Sequence, residues 1–502
     1  MSDGLTDKNS ELEEPTFLSG KTVSRREFLR VAGIAGATVG LGAGLGGVLA
    51  ACGGGDSGTT TTAGATTTTT GGVTTTTTAG STTTVSVSAE AGDEIKLGFV
   101  SPLTGPLASF GIPDKWCADK WRAAIGDGMV LGDGKKHPIS ITVADSQSDS
   151  NRAAQVAGDL INNTKVSVMM VASTPDTVKP AVEQCEANEI PVVSTDCPWQ
   201  TYLGANKEYK WSYHMFFGAE DLFPGMVSMF NKVPTNKKVA GVFDNTADGL
   251  FFSEEDPKAL AKAGYECLVP SLFQPGTEDY TSLISAFKKA GCEALIGNCI
   301  PPDWTNFWKQ AIQQGLGAQM KVVMATKATL FPQSIEALGD VGNGLIKELW
   351  WHGTYPWTSS LTGETCQQLS DDFSATTGLQ PTAPILHYVV GEMAIYALKN
   401  ATDPMDKNAV LAAIEKMKFD SIVGPIDFTA PLVERTDPSS VVGYAPGPGH
   451  KVKNVWGHGL AGSQWLAQGG KWKFDEVPVD KGTAPYVLDS TLSPIKPMPI
   501  TA

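Results

Sequence analysis

From Asp93 onward the chain alternates short apolar runs with longer amphipathic stretches, in two successive sets. In the first set, residues 95–100 form an apolar run that stops in the turn-rich segment 101–106. A helix is expected over about 112–125, and residues 139–143 alternate apolar and polar as a strand does. Asp149-Ser150-Asn151 can cap a helix carrying Ala153, Val156, Ala157, Leu160 and Ile161 on one face. A buried strand over 166–171, a helix over 176–188 and a strand over 190–194 follow. The second set has strands over 238–243, 266–270, 293–297, 321–324 and 344–350, with helices over 254–263, 280–290 and 304–314 between them. Strands separated by helices cannot pair as hairpins, so the pattern demands parallel sheets and an α/β class with two lobes in tandem. In such sheets ligands bind at the carboxyl ends of the strands. Two such edges facing each other make a cleft between lobes, a preferred ligand site.

The first ninety residues are of another kind. Ser24-Arg25-Arg26-Glu27-Phe28-Leu29-Arg30 looks like a twin-arginine export signal, with Arg25 and Arg26 as the pair a receptor reads. A charge-free stretch rich in glycine and alanine runs from 31 to 49 and ends in Leu49-Ala50-Ala51-Cys52. That ending resembles a bacterial lipobox, which makes residues 1–51 a removable signal and Cys52 the lipid-bearing first residue. The Gly-x-Gly-x-x-Gly pattern at 42–47 has no strand before it and no βαβ context, so it is not a dinucleotide site. Between Thr59 and Thr84, 17 of 26 residues are threonine and the rest are small. Such a stretch buries too little apolar surface to offset its ordering entropy, so 52–92 is expected to be a flexible tether.

Composition excludes several functions. The net charge of −15 argues against a nucleic-acid partner, which needs a surplus of Lys and Arg. Seven cysteines follow Cys52, an odd number, and no Cys-x-x-Cys occurs, so neither a zinc ribbon nor a redox motif is supported. There is no nucleophile elbow, no His-Glu-x-x-His and no P-loop, and the six histidines are scattered, each more readily a surface or core residue than a ligand. The chain is therefore expected to be no enzyme, with neither cofactor nor metal.

Several segments resemble one family. They are IKLGFVSPLTGPLASFG at 95–111, DSQSDSNRAAQVAGDLI at 145–161, VASTPDTVKPAVEQCEANEIPVVS at 171–194 and PGTEDYTSLISAFKKAGCEALIG at 275–297. VGPIDF at 423–428 and GGKWKFDEVPV at 469–479 continue the series. In order and spacing they resemble the type I periplasmic binding proteins, and within them the branched-chain (Leu/Ile/Val-type) substrate-binding proteins of ABC importers. The resemblance implies two Rossmann-like lobes joined by a hinge that the chain crosses three times. It places 93–215 with 352–423 in lobe one, and 218–350 with 424–502 in lobe two. It also implies an extracytoplasmic, lipid-anchored protein that delivers a small amino-acid-like or related organic solute to the importer's permease subunits. A sensory or scaffolding lipoprotein presenting its ligand state to a receptor is the alternative use of the same fold.

Binding an amino acid needs N–H groups and hydroxyls at a helix N-terminus for the carboxylate, and an acid for the ammonium. In lobe one, Ser109 and Phe110 follow the first strand, Ser173, Thr174 and Thr177 the third, and Asp196, Cys197 and Trp199 the fourth; these match the family's binding loops. The hydroxyls among them could equally be helix caps. Lobe two supplies Asp244, then Asn298 and Ile300, then Lys327. Lys327 falls near where the family's amino-acid binders carry an acid, which disfavours a plain α-amino acid unless Asp196, Asp244 or Asp248 replaces it. Tryptophans 116, 199, 304, 308, 350, 351 and 357 fall in or behind these loops, as cleft wall or as core, with the segment WWHGTYPW at 350–357, Trp351 within it, the best candidate for the cleft.

Overall fold

A computed structural model describes residues 89–203, 208–430, 432–433 and 451–495, together with backbone strands at Thr68–Thr70, Val73–Thr78 and Ser81–Ser86. Those three strands, in the tract expected to be a flexible tether, form a sheet of their own; β-branched threonine favours extended backbone. Arg25, Arg26 and Cys52, on which the export and lipidation readings rest, lie outside the described residues.

The first lobe is built on β1 (Ile95–Ser101), β2 (Ile139–Asp145), β3 (Val168–Val171), β4 (Val192–Thr195) and β5 (Ser212–Met215). The second is built on β6 (Lys238–Phe243), β7 (Glu266–Leu268), β8 (Ala294–Asn298), β9 (Val322–Thr326) and β10 (Ile346–Leu349). Both sets are parallel and lie in the same spatial order, β2-β1-β3-β4-β5 and β7-β6-β8-β9-β10. Each order reverses beside its first strand, which opens a crevice at the strands' carboxyl ends.

Helices cover both faces. In lobe one these include α1 (Asp114–Ile125), α2 (Ser150–Asp159) and α3 (Pro175–Asn188). Asp149 caps α2 as expected, its carboxylate accepting from the Arg152 N–H at 2.7 Å. In lobe two, α4 (Ala219–Asn231), α5 (Ala247–Lys262), α6 (Thr281–Ala290) and α7 (Pro301–Gln313) follow. Helix α5 begins earlier than its apolar pattern suggests, because Thr246 accepts from the Gly249 N–H and starts it. The chain then returns to lobe one as α8 (Cys366–Thr377) and α9 (Tyr388–Asn400), where Phe373 packs edge-on to Trp116 at 5.5 Å. Trp121 is fully buried between Phe99 and Tyr388 and donates its indole N–H to the Tyr388 carbonyl.

The tail departs from the expected division. Residues 424–502 were assigned to lobe two, but β11 (Val455–Trp456) pairs in parallel with β5, His214 against Val455 and Met215 against Trp456. Phe428 also packs edge-on to Tyr213 of β5, at 5.1 Å. An uncovered edge strand leaves its backbone donors and acceptors unpaired, and β11 satisfies β5. Only afterwards does β12 (Ala461–Leu466) extend the second sheet, antiparallel to β10, with β13 (Asp475–Asp480) antiparallel to β12. Among the described residues the chain therefore passes between sheets in segments 215–219, 349–366 and 456–461, and the third passage lies later than 423–424.

Candidate functional site

The loops at the carboxyl ends of both sheets converge on one cavity. Lobe one contributes Phe110, Thr174, Asp196 and Pro198, from beyond β1, β3 and β4. Lobe two contributes Asp248 and Phe252 of α5, Asn298 and Thr326 at the ends of β8 and β9, then Lys327, and Glu348 of β10. The first two passages between sheets add Phe216, Phe217 and Trp350, and α4 adds Leu222. Trp350 meets Phe216 edge-on at 4.9 Å, so aromatic rings close the hinge side. The lobes are shut on each other, and the cavity left is about 20 Å³, room for roughly one water. A solute enters only if they part.

Backbone geometry marks the same place. Ser173 has φ 124°, Asp196 φ 76° and Lys327 φ 63°, all beyond strand ends and none of them glycine. Such conformations cost about 1–3 kcal/mol each and concentrate at functional sites. Thr174 sits at the N-cap of α3, yet its hydroxyl caps nothing. The hydroxyls of Ser173 and Thr174, Asp196 Oδ1, Asp248 Oδ1 and Asn298 Oδ1 are all buried without a hydrogen-bond partner. Helix capping thus does not account for the Ser173-Thr174 pair.

The charges are arranged in two groups. In lobe two, Lys327 is buried and its Nζ lies 3.2 Å from Asp248 Oδ2, while its backbone N–H donates to Glu348 at 3.0 Å. Burial opposes the Lys327 charge, but Asp248, then Asp244 and Asp176, outweigh it and hold the ammonium above its ordinary range. Burial pushes Glu348 up to about 7. In lobe one, His387 is completely buried between two carboxylates, with Nδ1 2.7 Å from Asp114 and Nε2 2.7 Å from Asp196. Burial disfavours its charge, yet Asp114 and Asp196 outweigh that and hold it at about 10. Ser101 donates to the other Asp114 oxygen. Burial lifts Asp196 to about 6, even with His387 pulling it down.

The structure brings together Phe110, Thr174, Asp196, Asn298 and Lys327 of the expected set, with Ser173 adjoining Thr174. The others stand back from the wall. Ser109 is half-buried on the short helix Ala108–Gly111. The Thr177 hydroxyl donates to the Thr174 carbonyl and the Cys197 thiol to the Ser173 carbonyl. The Trp199 indole donates to Glu220. Asp244 accepts from the Thr246 N–H and hydroxyl, and Ile300 is buried at the N-cap of α7. The Trp351 indole donates to the Ile422 carbonyl, and the residue lines a separate groove of about 440 Å³ against α8. Trp304 and Trp308 are fully buried and stacked 5.9 Å apart in the lobe-two core. Sequence reasoning missed Phe216, Phe217, Leu222, Phe252 and Glu348, and read His387, like the other histidines, as a surface or core residue. The adjacent Phe216-Phe217 where the chain leaves β5 was the available signal for the first two.

Among the described residues, no three His, Cys, Asp or Glu side chains are arranged to hold a metal ion. No described helix is long and apolar enough to cross a membrane. All seven cysteines from Cys117 to Cys366 are unpaired thiols.

A family model described as periplasmic binding protein matches residues 94–442. A leucine-, isoleucine-, valine-, threonine- and alanine-binding protein of Pseudomonas aeruginosa is 25% identical over 52% of this chain and 67% of its own length. A Leu/Ile/Val-binding protein homolog of Brucella melitensis is 24% identical over 42% of this chain, and the match spans 56% of that protein. An ABC-transporter solute-binding protein of Rhodopseudomonas palustris, solved with 3,4-dihydroxybenzoic acid, superposes with a TM-score of 0.59 at 19% identity, covering 79% of this chain and 98% of its own. Two sheets that share one five-stranded parallel order, meet at a buried polar cavity and are joined by three passages among the described residues accord with these matches, and the chain belongs to the periplasmic binding protein family.

Proposed function

We propose that this protein is an extracytoplasmic, lipid-anchored solute receptor that captures a small amino-acid-like or related organic solute between its lobes and delivers it to an ABC importer. One observation carries the reading. Loops and strand ends from two facing sheets line a single cavity with Thr174, Asp196, Asp248 and Asn298, each of which keeps a buried polar atom without a partner. Buried polar groups are normally satisfied, so these sites await a ligand's hydrogen bonds. The solute settles on one lobe, and closure about the three passages adds the contacts of the other. The relatives' ligands, branched-chain amino acids and a dihydroxybenzoic acid, support a small organic solute with an apolar body. The Cys52 motif and the family's extracytoplasmic place support anchoring by a lipid at the start of the tether.

A thermal-shift screen over amino acids, amides, amines and aromatic acids tests the capture, because a ligand that binds the native state raises its stability by mass action. At least one class is expected to stabilise the protein and to lose its effect in Trp350→Ala. A screen silent for every class refutes the reading. Fatty-acid labelling that persists in Cys52→Ser refutes the anchor.

A further inference from the structure

We infer that the cleft takes its solute through a cationic group seated between Asp196 of lobe one and Asp248 of lobe two, and that this cation draws the lobes shut. The inference rests on the proposed capture of a solute in this cleft and names the chemistry that capture uses.

The charge balance of the cavity carries it. Three carboxylates, Asp196, Asp248 and Glu348, line the wall against one ammonium, Lys327. Lys327 is already committed to Asp248, and His387 behind the wall is shared by Asp196 and Asp114. Counting those two, and setting aside Glu348, which burial pushes up to about 7, three carboxylates face two cations around a cavity with room for roughly one water. An added anion deepens the imbalance, whereas an added cation reduces it. Lys327 is thus no free receptor for a carboxylate, although it stands near where the family's amino-acid binders carry their acid.

The orphaned atoms give the position. Asp196 is 3% exposed and Asp248 4%, and each keeps one carboxylate oxygen buried without a hydrogen-bond partner. The two residues come from opposite lobes and repel each other across the closed cavity. An ammonium between them satisfies both oxygens and turns that repulsion into a bridge, which makes closure conditional on the ligand's charge. Phe110, Phe216 and Trp350 also line the cavity, and aromatic rings can attract a cation. His387, held by Asp114, positions Asp196: it takes one oxygen and leaves the other for the ligand.

Calorimetry with two matched sets tests this: phenethylamine, phenylalanine and 3-phenylpropanoate, then isoamylamine, leucine and 4-methylpentanoate. Binding is expected from the amines or zwitterions of at least one set, and at least about tenfold more weakly from the matching acids. Asp196→Asn and Asp248→Asn, nearly isosteric, are each expected to weaken amine binding at least about tenfold. Binding should also tighten as pH rises through about 6, where Asp196 ionises beside His387, Asp114 and Asp248. Acids that bind as tightly as the amines, or amine binding unchanged in both variants, overturn the inference while leaving solute capture in place. Silence from both sets, together with a silent general screen, overturns the capture and this inference with it.

Discussion

Replacing His387 by glutamine removes the cation that joins Asp114 and Asp196 behind the cleft. All three side chains are buried, and the imidazole touches both carboxylates at 2.7 Å. Glutamine can still donate a hydrogen bond but carries no charge, so two carboxylates remain facing each other in low dielectric. Breaking a buried ion pair from one side costs about 3–5 kcal/mol, and the same range is expected here. The sign of the pH dependence is fixed by the direction of the shift. His387 is raised from its ordinary range to about 10, so its contribution is complete below the unfolded value and fades as pH rises through about 10. Denaturant unfolding followed by tryptophan fluorescence, to which Trp121 beside Tyr388 contributes, reads the loss. The gap between wild type and His387→Gln should be full near pH 6 and shrink as pH approaches the His387 value. Asp114→Asn combined with His387→Gln should recover part of the loss, since one of the two stranded charges is gone. A loss below about 1 kcal/mol, the range of exposed pairs, or a gap independent of pH, refutes the charged triad.

Three further outcomes follow from the same geometry. Lys327→Met strands Asp248 and should destabilise lobe two by about 3–5 kcal/mol; Asp248→Asn in the same chain should restore most of it, and a double variant as unstable as the single one would contradict the pairing. Ser173→Gly should raise stability by about 1–2 kcal/mol in urea unfolding, because relief at φ 124° and loss of a buried partnerless hydroxyl exceed glycine's entropic cost; a destabilised variant shows that the backbone is unstrained. Gly391→Ala gains up to about 1 kcal/mol of helix propensity, but its Cβ would stand 2.2 Å from Trp121, so a net loss of about 1–2 kcal/mol and altered Trp121 emission are expected; a stabilised variant would mean that the indole gives way freely.

Several parts of the molecule were legible before any coordinates. The strands read from apolar runs at 95–100, 238–243 and 293–297 coincide with β1, β6 and β8 within a residue or so. The Asp149 cap and the parallel α/β class depend on the same kind of local evidence. Thr174, Asp196, Asn298 and Lys327 could be placed on the cleft side because each follows a strand's carboxyl end, and strand ends in a parallel sheet all open on one edge. The tryptophans show where such reading stops. Trp304, Trp308 and Trp350 all follow lobe-two strands in the sequence, yet two fill the lobe-two core and one lines the cavity. Which face of an element meets the core depends on what packs against it.

By itself, then, the sequence determined the alternation of elements, the parallel class, the sharp compositional break before Asp93 and the edge on which ligand chemistry lies. These follow from periodicities of two and 3.6 residues and from turn chemistry, which act over a few neighbours. Tertiary structure alone decided that β11 crosses back to cover the edge of β5, and that Lys327 spends its charge on Asp248. It also decided that His387 meets Asp114 and Asp196, 273 and 191 residues away along the chain. Such pairings are set by the closing of long loops and the packing of lobes, and no local pattern encodes a partner at that separation.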